Sequence, residues 1–405
     1  MHYIVIIALV KIALLIGGLM TAAAYLVLLE RWIAAWVQDR IGPNRVGVPL
    51  TKIRLFGLGQ PLADGLKFIF KEENTPAQVD RALFTIAPIS ILAAALASFA
   101  VVPFGSVLPE DVGIEGVEQP IQLIVAPNID VGMIYIFALS SIAVYGVILG
   151  GWASNSKYSF LGGLRSSAQL IAYELPMGLG ILGIVLMSGS LRLETIIDQQ
   201  AATGWWNVFL QPLGFVVFLV ASFAEAARLP FDLPEAEQEL VGGYHTEYAG
   251  MRLLMYLIAE FLHMVTAALL IVIMFFGGWH LWGITGTDPK HVTWGEAILR
   301  ILVLQGKVLA VILFFMMARW SWPRFRFDQL MSMAWKVMLP LGMVNLVAVA
   351  VLIEFGWDTA QRRLGINPLV AMGAMWGVAI VAWLVAGSLA PLATDNRPRL
   401  SNDEL

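Results

Sequence analysis

The stretch EAARLPFDLPEAEQELVGGYHTEY, from Glu225 to Tyr248, stands between two long apolar runs. It holds six acids, Glu225, Asp232, Glu235, Glu237, Glu239 and Glu247, against the single Arg228. Pro230 and Pro234 forbid one continuous helix through it. Charge beside a membrane is costly unless it is solvated, paired or used. A solvated acidic loop would meet that rule. The order of residues argues for more. An acid closes a helix, an Arg follows three residues on, and Leu-Pro steps flank Phe231 and Asp232. That spacing describes a shaped surface rather than a loose tail.

The flanks decide the class of protein. Of 405 residues, 59% are hydrophobic and only 13% are charged, and the mean hydropathy is +0.78. Soluble chains are about a quarter charged. The composition predicts a polytopic membrane protein, with residues 1–405 forming a single membrane domain. A net charge of -4 leaves no basic footprint for nucleic acid. Without cysteine the chain can supply neither disulfides nor thiolates for an iron–sulfur cluster. The first apolar run has no charged leader and no small-residue cleavage site, so it is read as a retained span.

Spanning helices need about twenty apolar residues each. Runs near 3–29, 82–104, 131–151, 168–189, 207–225, 252–277, 298–318, 334–355 and 368–392 meet that length, nine in all. The last is an extra C-terminal span. Lipid satisfies no backbone groups, so all nine are expected as helices. The fold class predicted is all-α, a bundle of about nine transmembrane helices. Lys and Arg fix its orientation. Alternate connections hold eighteen of the 25 basic residues, the opposite side holds five, and Lys11 and Lys307 lie within spans. The acidic loop, 225–251, is therefore expected in the cytoplasm, with the N-terminus outside and the C-terminus inside. The inner segment 30–81 contains PLADGLKFIFKE, which opens on Pro61. Leu62, Leu66, Ile69 and Phe70 share one helical face there, which predicts an amphipathic helix lying in the interface.

Several tempting motifs fail on context. GLGILG at 178–183 matches a dinucleotide fingerprint, but it lies inside an apolar run with no strand before it. Its glycines suit close helix packing instead. His263 sits alone among apolar neighbours and is read as a packed core histidine with one local partner. The acids within spans are the sharper signal. Glu30 closes the first run beside Arg31, and Glu174 lies two residues before Pro176. Glu225 closes the fifth run and Glu260 lies inside the sixth. Buried carboxyls respond to a neighbour's change of charge, which is what a proton relay requires. The alternative for each is a packing acid held by a basic partner.

Four blocks then carry a resemblance. They are LLERWIAAWVQDRIGPNRVG at 28–47, GWASNSKYSFLGGLRSSAQLIAYE at 151–174, ASFAEAARLPFDLPEAEQELVGGYHTEYAGM at 221–251, and PRFRFDQLMSMAWKVMLP at 323–340. In order and spacing the chain closely resembles the quinone-chamber membrane subunits (the H subunits) of respiratory complex I, the proton-pumping NADH:quinone oxidoreductase. It departs from that pattern at Ala227, where a polar residue is usual, and at Trp32, where a basic one is common. It has no acid near Ser141, where some relatives place one.

The resemblance implies a membrane subunit that joins a membrane arm to a peripheral arm and couples quinone reduction to proton translocation. It implies Arg31, Arg228, Phe231, Asp232, Arg324 and Arg326 as borders of the quinone chamber. It implies a proton path through Glu174, Glu225 and Glu260, with Glu30, toward antiporter-like subunits. Glu235, Glu237, Glu239 and Glu247 would form an acidic funnel facing the peripheral arm. No cofactor is expected on this chain; flavin and iron–sulfur clusters would sit in partner subunits, and quinone is the substrate. Partners implied are the peripheral quinone-site and cluster-bearing subunits, small membrane subunits, antiporter-like subunits, quinone and lipids. The location implied is the bacterial inner membrane. A related hydrogenase or other-donor dehydrogenase stays open at this point. A secondary transporter would show an internal repeat with broken helices, and none is visible. A passive anchor would not explain the acids within spans.

Overall fold

Apolar runs this long can satisfy their backbone in lipid only as helices, and the chain folds accordingly. The computed structural model describes residues 2–47, 56–109, 121–232, 241–286, 292–355, 357–358, 363–364 and 368–393. Among them the fold is an all-α bundle. Its helices are α1 (His2–Val37), α2 (Gln60–Phe70), α3 (Arg81–Ser98), α4 (Gly132–Ala153), α5 (Lys157–Ser188), α6 (Leu193–Thr203), α7 (Asn207–Leu210), α8 (Pro212–Glu225), α9 (Gly250–Phe275), α10 (Trp294–Ser321), α11 (Phe327–Met333), α12 (Leu339–Glu354) and α13 (Pro368–Ala393). A π-turn over Ala334–Met338 joins α11 and α12 into one spanning rod. With that rod, eight helices are long and apolar enough to cross a membrane. Two-residue strands, β1 (Trp357–Asp358) and β2 (Arg363–Leu364), pair antiparallel.

The fifth expected span is the one that differs. Residues 207–225 divide at Gln211 into α7 and α8, and α8 has only 14 residues. At about 1.5 Å per residue it covers about 21 Å, well short of the ~30 Å apolar core of a bilayer. Pro212 has no N–H with which to extend α7. The other end closes in a Schellman motif. The N–H of Arg228 donates to the Phe223 carbonyl at 3.3 Å, and that of Ala227 to Ala224 at 3.3 Å. Ala227 takes the left-handed position with φ 48°. A non-glycine residue there costs roughly 1–2 kcal/mol. The cap thus ends α8 inside the bundle and aims Glu225 and Arg228 in different directions.

Two helices run further than the apolar pattern predicts. α1 continues seven residues past Glu30 to Val37, and α5 begins at Lys157, eleven residues before the expected 168. α2 forms where the Pro61 stretch was expected to be helical. Leu62, Leu66, Ile69 and Phe70 are all exposed on it, the apolar face an interfacial helix needs.

α9 is the central rod, with 78% of its most apolar window buried against 22% for α1. Glycines set the closest crossings around it. A Cβ on Gly151 of α4 would meet the Ser159 carbonyl at 2.7 Å and Gly163 Cα at 3.2 Å. Within the GLGILG stretch, a Cβ on Gly180 would meet the Gly214 carbonyl of α8 at 3.1 Å, and one on Gly183 would meet Asn345 at 2.7 Å. Gly178 faces open space. Small residues at membrane helix crossings let backbones approach; Gly180 does so, and Gly183 makes room for the Gln211 and Asn345 side chains. The two lysines within spans are also accounted for. Lys11 donates to the carbonyls of Gln122 (2.7 Å) and Ile124 (3.0 Å). Lys307 donates to Phe276, Gly278 and His280 at 2.6–3.0 Å, capping the carbonyl end of α9.

Candidate functional site

The bundle contains a cavity of about 730 Å³ between α1, α2, α9 and the end of α10. Met20, Val27, Leu257 and their neighbours give it apolar walls, and Glu30, Arg31, Asp64, Arg228, Glu260 and Arg319 collect at its polar part. The extension of α1 past the apolar run explains their meeting. Glu30 and Arg31 are held on a rigid helix instead of a loop. Arg31 pairs with Asp64 of α2 at 2.6 Å. Glu30 pairs with Arg319 at 2.5 Å and with Arg228 at 3.2 Å. Arg228 is 5% exposed and its guanidinium lies 4.4 Å from the centre of the Phe261 ring. Two guanidinium groups thus share one carboxylate in a poorly hydrated corner. The cavity is large enough for a drug-sized apolar ligand.

A second, smaller cavity of about 50 Å³ lies deeper, between α3, α4, α5, the end of α8 and α9. Its polar lining is Ser140, Ser166, Glu174, Glu225, Tyr244, Glu260 and His263. Ser140 donates to Glu225 and Ser141 donates to Glu174. Ser141 is the position where an acid is missing, and its hydroxyl instead supports the acid of the next helix. Tyr244 Oη donates to Glu260 at 3.3 Å. Gln169 holds the wall together by donating to the carbonyls of Ala224 (2.8 Å) and Phe231 (2.7 Å). One probe sphere occupies roughly 10–15 Å³, so the volume suffices for about three or four waters. Glu260 lines both this cavity and the larger one. It is the wall they share.

The remaining expected residues fall into a separate cluster. Phe231 and Asp232 are buried. The Phe231 ring packs 5.5 Å from both Tyr173 and Phe325, and Asp232 pairs with Arg324 at 3.3 Å. Phe325 N–H donates to the Pro230 carbonyl at 3.2 Å. The Pro230–Asp232 turn and the 323–326 segment therefore interlock, next to the large cavity and outside its lining. Arg326 is exposed at the start of α11. Glu247 is half-buried in the turn leading to α9. Glu235, Glu237 and Glu239 lie outside the described residues. Beside that turn, burial pushes the Tyr248 hydroxyl up to about 12, so it stays protonated at neutral pH.

Arg319, Asp64, Tyr244, Ser140 and Ser141 were not expected at the site from sequence. Ser141 stood out only as a position without an acid, and Tyr244 only as part of the Glu225–Tyr248 stretch. His263 corrects its expected role. Among the described residues its ring makes no hydrogen bond, and it lines a cavity rather than packed core.

Tyr244 is placed by one glycine. A Cβ on Gly162 of α5 would meet the Gly243 carbonyl carbon and the Tyr244 nitrogen at 2.6 Å, both backbone atoms. Gly162→Ala is expected to lift this turn from α5 and break the Tyr244–Glu260 contact, at an overpacking cost of about 1–3 kcal/mol. A lower thermal midpoint of the purified protein, together with reduced activity, would be measured. An unchanged midpoint would show that the turn is not held there.

The sequence model of the NADH dehydrogenase family matches residues 10–350. The chain is similar to an NADH-quinone oxidoreductase H subunit of Cytophaga hutchinsonii, at 46% identity over 327 residues, covering 80% of this chain and 90% of that one. An H subunit of the same enzyme from Geobacter metallireducens is 46% identical over 354 residues, covering 87% and 97%. The H subunit of Leptospira biflexa is 42% identical over 361 residues, covering 88% and 97%.

Proposed function

The chain belongs to the NADH dehydrogenase family, as the membrane-embedded H subunit of NADH-quinone oxidoreductase (complex I), and from that footing we propose how its residues couple quinone to protons. The hydrogenase and transporter alternatives have no counterpart among the relatives named above. The large cavity is the quinone chamber, bordered by Arg31, Arg228 and Arg319. The deeper cavity begins the proton path. Glu260 passes the charge state of one to the other, and Glu174 and Glu225 receive it. The observation that carries this reading is the position of Glu260 in the wall common to both cavities.

Reducing a quinone to its quinol takes two electrons and two protons. NADH supplies the electrons through partner subunits that hold the flavin and iron–sulfur clusters. Negative charge added near the Glu30 cluster raises the proton affinity of nearby carboxyls. Three carboxyls, Glu174, Glu225 and Glu260, line one poorly hydrated pocket and are the successive holders of a relayed proton. A change of charge in the chamber shifts that proton from one acid to the next. Ser140, Ser141 and Tyr244 position the acids for the transfer.

The basic-residue asymmetry supports an inner-membrane orientation with the N-terminus outside and the C-terminus in the cytoplasm. In that orientation the 225–251 segment belongs to the cytoplasmic side, where a peripheral arm would dock. Arg324, Asp232 and Phe231 brace the chamber from behind, and Arg326 faces the peripheral subunits. Small membrane and antiporter-like subunits would adjoin the bundle.

A photoreactive quinone analogue tests the chamber in the intact complex. Labelling should concentrate on peptides from α1, α2 and α9, and excess quinone should suppress it. Labelling confined to peptides outside these three helices would reject the assignment.

A further inference from the structure

A third, narrower cavity of about 20 Å³ continues from the acid pocket along α9. Its polar lining is Ser98, Ser140, Glu225, His263 and Thr266, and the rest is apolar. His263 and Glu225, with Ser140, line this cavity and the acid pocket alike. The direction follows from the helices. Glu260, His263 and Thr266 rise in successive turns of α9, and Ser98 closes α3 at the end opposite Arg81. The cavity therefore leads away from the quinone chamber.

We propose that His263 is a proton-carrying member of the relay, passing protons from the Glu174–Glu225 pocket into the cavity that leads toward Ser98 and Thr266. This rests on the relay reading of Glu174, Glu225 and Glu260. An imidazole suits the position because it has two nitrogens on opposite sides of one ring. A proton binds one nitrogen, the proton on the other leaves, and the ring is neutral again; no electron moves. The groups beyond it are disposed to receive. Thr266 donates its hydroxyl hydrogen to the Leu262 carbonyl at 3.0 Å, and Ser98 donates to Ala95 at 2.8 Å. Their oxygens remain as acceptors at the cavity wall. The volume suffices for about one or two waters to bridge them. The titratable groups facing the ring's two cavities are Glu174 on α5, Glu225 on α8, Glu260 on α9 and Tyr244 on the turn before α9.

The test uses the assembled complex in vesicles, with His263→Asn, His263→Gln, His263→Leu and Glu225→Gln made in parallel. Assembly is read on native gels, and coupled turnover and proton pumping are read in vesicles. The expected result is intact assembly of His263→Asn and His263→Gln with pumping and turnover reduced about tenfold or more, and His263→Leu no better. A packing role would instead be filled by the amides and lost only in His263→Leu. Wild-type pumping in either amide variant would overturn the proposal, as would failure of both to assemble, which marks a structural need for the ring itself. If His263→Asn pumps fully while Glu225→Gln does not, His263 alone is excluded and the relay stands. If both pump fully, the relay falls with it.

Discussion

Glu260→Gln is expected to assemble normally and to lose coupled turnover and proton pumping together, by about a hundredfold. The amide matches the carboxyl in size and still accepts from Tyr244, so the 3.3 Å contact survives. It cannot carry a proton. Because Glu260 walls both the chamber and the acid pocket, its loss cuts the path at the first step. Glu225→Gln should behave alike, since Glu225 faces the pocket on one side and the His263 cavity on the other. A purely structural role predicts a different outcome. An acid buried for packing leaves an uncompensated partner when neutralised, at a cost of about 3–5 kcal/mol, and the complex would fail to assemble. Native gels separate the two, and vesicles then give turnover and pumping. Full pumping in both variants would end the relay reading.

The second large effect concerns Arg228. Its guanidinium pairs with Glu30 of α1 and lies over the Phe261 ring. Arg228→Ala removes one of two cations from a part-buried carboxylate. Breaking a buried pair costs about 3–5 kcal/mol, and the lower end applies because Arg319 still holds Glu30 at 2.5 Å. Arg228→Lys keeps the charge but loses the planar face against Phe261 and the forked donors. It should fall between, with assembly retained, a raised quinone KM and several-fold lower turnover. The measurements are the thermal midpoint of the purified complex and its quinone titration. A Lys variant with unchanged KM and turnover would show that charge alone suffices and geometry does not matter.

Much of the fold was legible in the chain itself. Composition required a membrane protein, and apolar run lengths found the spanning helices to within a few residues at most ends. Interior acids stood out because charge is so rarely placed there. The amphipathic α2 was also readable, since Pro61 and the spacing of Leu62, Leu66, Ile69 and Phe70 are local signals. The break at Gln211 was not. Hydropathy counts apolar residues and cannot see that α8 ends short of a full crossing, because Pro212 and the Ala227 cap act through backbone geometry.

The site was legible as a set of residues and not as an arrangement. Sequence singled out Glu30, Glu174, Glu225, Glu260, Arg31 and Arg228 one by one, because each is a charge where lipid or apolar protein makes charge expensive. It could not say which charges meet. Helix crossings bring Glu30 to Arg228 from 198 residues away. Arg319 and Asp64 enter for the same reason. His263 looked like core because one-dimensional context shows only its apolar neighbours on α9. Whether a ring faces packed side chains or a cavity depends on the helices across from it. Periodicity and charge cost determined that this protein is a membrane bundle carrying acids; the Gly162, Gly163 and Gly180 crossings and the capped end of α8, which bring separate helices to one point, decided that Glu260 stands between two cavities.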